Sequence, residues 1–302
     1  MQAEAAACFS RPSGHCEACV PRQFEESRWR SFLFTGAKIN FIVTRTTLNM
    51  KVLTMMRSLF SVAATLVFGA TALFADGLSQ SVSYQLGDKE FSGYAMVASS
   101  APKGTVYVIH DWNGLDSYEQ KRVRMLAELG YNAVALDLFG VDAKLEGFED
   151  YRRETGTLYK DRTEFRNRIN AGITAGNAIF NTAGKTVLMG YCFGGAAVLE
   201  AARSGAHLDG FVSFHGGLST PEGQDYNQTT GKVLVLHGSA DPVSGMEDLA
   251  SLLQQLQAAE VVHNAEVFGG ARHSFTIEGS RDFDAAAERK SWDALLRFLK
   301  EV

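Results

Sequence analysis

Apolar and polar residues alternate over residues 82–96 with Gly87-Asp88 between the two halves, a period-2 pattern that predicts a β-hairpin. The pattern then changes. Residues 105–110 form a continuous apolar run of the kind buried on both faces, and Asp116 with Glu119 three positions later makes a capping box for a helix. That helix turns Val123, Leu126 and Ala127 inward and closes at Gly130. Further strands are expected at 132–137, 186–189, 210–214, 232–237 and 263–268. Phe165, Ile169 and Ile173 recur every four residues on one long helix, and 196–203 is a second helical run. Leu249, Leu252, Leu253 and Leu256 mark a third, and Trp292, Leu295, Leu296 and Leu299 a terminal one. Gly172 and Gly176 each weaken the long helix by about 1 kcal/mol relative to Ala unless close packing uses them. Strands alternating with helices through short connections predict an α/β fold: a mainly parallel sheet with helices on both faces, entered through an N-terminal β-hairpin.

This domain occupies residues 76–302. Ahead of it, residues 50–75 read as a signal peptide: Met50, Lys51 and Arg57 supply a positive start, 58–74 is uncharged and apolar, and Ala75 or Ala72 stands at the cut. An apolar run of about 17 residues is at the lower limit for crossing a bilayer, so an uncleaved anchor is the alternative. Signals begin at an N-terminus, which makes Met50, Met55 or Met56 the expected start and residues 1–49 a doubtful extension. His15, Cys16 and Cys19 with Cys8 superficially resemble a metal clip, but a zinc site needs four placed ligands and a fold to hold them. The expected product is periplasmic or secreted, without stable membrane association after cleavage.

Charge excludes one class of partner. Residues 1–75 hold 8 of the 29 basic and 4 of the 34 acidic residues, so the body carries 21 against 30. An acidic body lacks the footprint that nucleic-acid binding requires. Three of the four cysteines also lie in the extension, leaving Cys192 alone in the domain and unable to form an internal disulfide.

Cys192 stands at the apex of Gly190-Tyr191-Cys192-Phe193-Gly194-Gly195, after an apolar strand and before a helical run. That is the context of a nucleophile elbow, G-x-S-x-G with cysteine for serine: a turn so sharp that the flanking glycines are obligatory, aimed by a helix N-terminus that favours a thiolate or an oxyanion. An imidazole must take the thiol proton and a carboxylate must orient the imidazole. In the order nucleophile, acid, histidine, the downstream candidates are Asp241, after the strand ending at His237, and His273, in the loop after the strand ending at Phe268. Asp241 precedes Pro242, so a purely structural turn is its alternative role. An oxyanion hole needs two backbone N–H groups, which Phe193 and Trp112 would supply. His110, His215 and His237 end strands and either line the pocket or satisfy backbone groups, the latter being the commoner fate. Tyr191, Trp112 and His215 are candidates for the pocket wall.

The segments VIHDWNG, YNAVALDLFG, GYCFGG, HGSADPV and ARHSF, spread from about Val82 to the end, resemble the dienelactone hydrolase family of α/β-hydrolases. The resemblance implies a triad of Cys192, Asp241 and His273 that hydrolyses a small ester or lactone through an acyl-cysteine, without cofactor or metal. It also implies that a carboxylate in the early loop, here Asp111, accepts the resting thiol's proton. The chain departs from the family twice: Asp111 is shorter than the usual glutamate, and Ile277 stands where an arginine is expected to bind a substrate carboxylate. Arg152 or Arg153 would have to serve an acidic substrate. Thioesterase or acyl-transfer activity, or a redox-sensing thiol on the same fold, are the alternatives.

Overall fold

The structure, a computed structural model, describes residues 79–180 and 184–302. The expected signal segment, the extension and the candidate start sites lie outside the described residues. The hairpin is β1 (Ser79–Leu86) and β2 (Lys89–Met96), turned at Gly87 with φ +60°. The remaining strands are β3 (Gly104–Ile109), β4 (Asn132–Leu136), β5 (Lys185–Tyr191), β6 (Gly210–Phe214), β7 (Lys232–Gly238) and β8 (His263–Phe268). They form one sheet in the order β1-β2-β4-β3-β5-β6-β7-β8, parallel except where β2 meets β1 and β4. This is the α/β arrangement that the alternation of patterns predicts.

The helices are α1 (Ser117–Glu128), α2 (Phe148–Lys160), α3 (Arg162–Phe180), α4 (Phe193–Arg203), α5 (Met246–Ala258) and α6 (Ala285–Glu301). Alternate strand residues divide the core: Val106 and Val108 pack with Val123, Leu126, Leu295 and Leu299 of α1 and α6, while Tyr107 and Ile109 pack with α3, α4 and α5 on the other face. The capping box of α1 is formed, with Asp116 accepting from the Tyr118 N–H and the Glu119 carboxylate accepting from the Asp116 N–H. Helix α2 has no counterpart in the sequence reading. Phe148, Tyr151, Leu158 and Tyr159 do recur at helical spacing, but charged and polar residues outnumber them and mask the stripe; only Thr155 and Leu158 are buried.

The glycines of α3 serve contact. A Cβ on Gly176 would lie 2.8 Å from the Tyr107 ring and 3.0 Å from Val134, and one on Gly172 would meet the Leu136 methyls at 3.1 Å. No helix among the described residues is long and apolar enough to cross a membrane. Gly176→Ala is expected to lose about 1–2 kcal/mol, overpacking against a buried ring outweighing the gain in helix propensity. Gly172→Ala, facing movable methyl ends, should lose less; urea unfolding of both variants measures the difference.

Candidate active site

The carboxyl ends of β3, β5, β7 and β8 share one edge of the sheet, and the loops leaving them carry the candidate residues. Cys192 joins β5 to α4 with φ +52° and ψ −111°, a left-handed backbone that an L side chain rarely adopts. It is held by Cys192 N–H donating to Phe214 O at 3.0 Å and Ala196 N–H donating to Cys192 O at 3.2 Å. The turn leaves no room beside it. A Cβ on Gly190 would sit 2.3 Å from Gly194 O, and one on Gly194 would sit 2.4 Å from Ile109 O. Phe193 is the first residue of α4, so its N–H belongs to the set that a helix leaves without an internal acceptor.

Three side chains form a continuous chain. The Cys192 sulfur lies 3.0 Å from His273 Nε2, and His273 Nδ1 lies 2.8 Å from Asp241 Oδ2. The other oxygen, Asp241 Oδ1, accepts from the N–H groups of Val243 at 2.8 Å and Ser244 at 3.2 Å. Asp241 therefore shapes its Pro242 turn and also orients the imidazole. His237 Nε2 meets Ser244 O at 2.9 Å, and Ala240 N–H donates to Ala271 O at 3.0 Å, tying the Asp241 loop to β7 and to the His273 loop. Burial alone would push the His273 pKa down. The hydrogen bonds to Asp241 and to the Cys192 sulfur, with their charges, instead raise it to about 10. Burial opposes ionisation of Asp241 too, yet His273 and the two backbone donors hold its pKa below the usual carboxylate value.

The loop after β3 carries Asp111 and Trp112. Asp111 is buried, and its Oδ1 accepts from the Asn113 N–H at 2.9 Å, whereas the resting thiol is bonded to His273. Burial pushes the Asp111 carboxyl up to about 6, against the pull of the Asn113 N–H, with nearby Asp116 adding to the rise. Glu119 lies beneath this loop, facing the Asp111 N–H at 3.4 Å, and burial followed by the Asp111 charge raises it to about 8.

The buried histidines other than His273 behave as supports. His110 accepts from the Leu138 N–H at Nε2 and meets Asp111 O at Nδ1, so backbone groups occupy both nitrogens. His215, with φ +37°, lies behind His273 with ring centroids 5.5 Å apart, and its Nε2 is 2.8 Å from Thr276 Oγ1. Its burial and the neighbouring His273 charge keep it neutral.

A cavity of about 490 Å³ opens above the sulfur. Trp112 lines it, together with Phe148, Thr155 and Tyr159 of α2 and with Phe193, Pro242 and Val243. Two wall candidates are displaced from it. Tyr191 is fully buried, edge-on to Tyr118 at 5.0 Å, because it ends β5 on the α1 face; His215 is fully buried under Thr276 and His273. Arg152 does not line the cavity either: it sits on the exposed flank of α2, where its charge stays hydrated. Arg153 is engaged by Asp150 and Glu154. The cation on the rim is Arg281, next to Asp282, from the segment before α6, and Ile277 lines a separate cleft against α1. Arg281 lies outside any helix or strand and carries no periodic signal, and although Phe148 shares a helical spacing with Tyr151, Leu158 and Tyr159, only tertiary placement brings it to the cavity.

The dienelactone hydrolase family model matches residues 91–302. A dienelactone hydrolase-like promiscuous phosphotriesterase from metagenomic libraries is 33% identical, with TM-score 0.69 over 74% of this chain and 98% of that one. A proposed carboxymethylenebutenolidase of Escherichia coli is 23% identical over 214 residues, 67% of this chain and 79% of that protein. A solved structure of a proposed dienelactone hydrolase from Klebsiella pneumoniae, 19% identical with TM-score 0.65 over 74% of this chain and 99% of that one, shares the fold.

An imidazole whose folded pKa is raised stabilises fully below its unfolded value of about 6.5, and that contribution is lost as pH rises through about 10. The lowered Asp241 contributes above about 3.8 and fades as pH falls below it. Asp241→Asn should therefore lower the melting temperature most between about pH 4 and 6.5, with the gap to wild type narrowing towards pH 10. Calorimetry across that range measures it.

Proposed function

The chain belongs to the dienelactone hydrolase family, and from that membership and the site geometry we propose that it cleaves a small ester or lactone through an acyl-cysteine intermediate. The observation that carries the reading is the unbroken contact from Cys192 Sγ through His273 to Asp241, at 3.0 and 2.8 Å. In this scheme the imidazolium stabilises the Cys192 thiolate. The sulfur attacks the carbonyl carbon, and the carbonyl electron pair moves onto oxygen, which the N–H groups of Phe193 and Trp112 receive. Collapse breaks the bond to the leaving oxygen, which takes the proton from His273 Nε2. Water then gives a proton to His273 and attacks the thioester, the C–S bond breaks, and the acid leaves as the thiolate–imidazolium pair re-forms. The family resemblance would give the resting thiol's proton to Asp111, but the sulfur contacts His273 Nε2 at 3.0 Å while Asp111 Oδ1 is engaged by the Asn113 N–H, so in this scheme His273 holds that proton. The signal-like residues 50–75 support export to the periplasm or the medium, and cell fractionation with N-terminal sequencing is expected to find a start just after Ala72 or Ala75.

Single-turnover reaction with an activated aryl ester or an enol lactone should give a burst with a matching mass increase on the protein. Cys192→Ala should abolish both and lower the rate by about 10³-fold or more. Turnover without acylation, or a fully active variant, would sink the acyl-cysteine route.

A further inference from the structure

We infer that the pocket selects uncharged substrates with an apolar group beside the scissile carbonyl and discriminates against those bearing a second carboxylate. The inference rests on the hydrolase reading of the site and specifies its substrate class.

The walls are aromatic and aliphatic. Trp112 meets the edge of Phe148 at 5.3 Å and of Tyr151 at 5.2 Å, and Tyr159 stands edge-on to Phe193 at 5.6 Å, so the rings support one another in the arrangement that aromatic pairs prefer. At the mouth, Phe148 is 60% and Val243 66% exposed, on opposite connections of the chain. Large apolar side chains left in water on both sides of one opening gain free energy when an apolar ligand covers them. The volume of about 490 Å³ lies within the usual span for a small-molecule site, about 300–1,000 Å³.

Charge argues in the same direction. Apart from His273, the ionised groups lining the cavity are Arg281 and Asp282. The Arg281 side chain is 85% exposed, and its Nε lies 3.5 Å from Asp282 Oδ1, an oxygen that Arg272 also holds at 2.8 Å. A guanidinium in water beside a carboxylate offers little to a second anion. An anionic substrate arm would lose its hydration against Trp112, Phe148 and Tyr159 with only the hydrated Arg281 to offset it, because His273 is already engaged by Asp241 and the Cys192 sulfur. A neutral arm does not meet that penalty.

The test uses the full chain with two esters of similar length, p-nitrophenyl hexanoate and mono-p-nitrophenyl adipate, and with p-nitrophenyl acetate as a short reference. The expected kcat/KM for hexanoate exceeds that for adipate by at least about tenfold, the scale on which a hydrophobic pocket discriminates. Phe148→Ala should lower kcat/KM more for hexanoate than for acetate, by about three- to tenfold. Its melting temperature should stay unchanged because Phe148 is mostly exposed. Comparable turnover of hexanoate and adipate would overturn the inference while leaving the hydrolase reading intact, and loss of the adipate reaction in Arg281→Ala would name the cation responsible. If no ester acylates Cys192, the hydrolase reading itself fails and the inference falls with it.

Discussion

The left-handed backbone at Cys192 is the constraint on which the rest of the site depends. A non-glycine residue in this region costs about 1–3 kcal/mol and persists only where its surroundings impose it. They do so here through the hydrogen bonds to Phe214 and from Ala196, and through Gly190 and Gly194, where any Cβ would strike backbone within 2.5 Å. The strain has a geometric return. It lifts the sulfur off the end of β5 and directs the first turn of α4, with its unpaired N–H groups and favourable dipole, at the place where negative charge would develop.

Parallel strands bring the partners to that point. Because β3, β5, β7 and β8 all run the same way, their carboxyl ends deliver four separate loops to one edge, and buried polar contacts then hold those loops in place. His110 ties the Asp111 loop to Leu138, His237 of β7 holds the Asp241 loop at Ser244, and the Ala240 N–H joins that loop to Ala271 of the His273 loop. Charge is distributed to match. Buried Glu119 and Asp111 are pushed towards their neutral forms, His215 is kept neutral behind the imidazole, and His273 with Asp241 is drawn towards the charged pair.

The rim follows different rules. Helix α2 buries little beyond Thr155 and Leu158, and it gives Phe148, Thr155 and Tyr159 to the cavity wall. Segments of this kind, packed on a scaffold rather than forming its core, are where the residues that meet a ligand concentrate.

From sequence alone the hairpin, the parallel sheet, the capping box at Asp116 and the sharp turn at Cys192 were legible, because each is dictated by local spacing: period 2, period 3.6, a side chain three residues from its cap, glycines two residues on either side of the cysteine. Asp241 and His273 are marked by the strand ends they follow and by their order after Cys192, and the structure places both side chains in one chain of contacts with the sulfur. The pocket was not legible. Tyr191 lies next to Cys192 in the chain, yet strand alternation sends it into the opposite core, while Phe148, Arg281 and Val243 reach the cavity from elements distant in sequence. Contacts between residues far apart along the chain are set by how helices pack on the sheet, and no local periodicity encodes which exposed side chains that packing brings face to face.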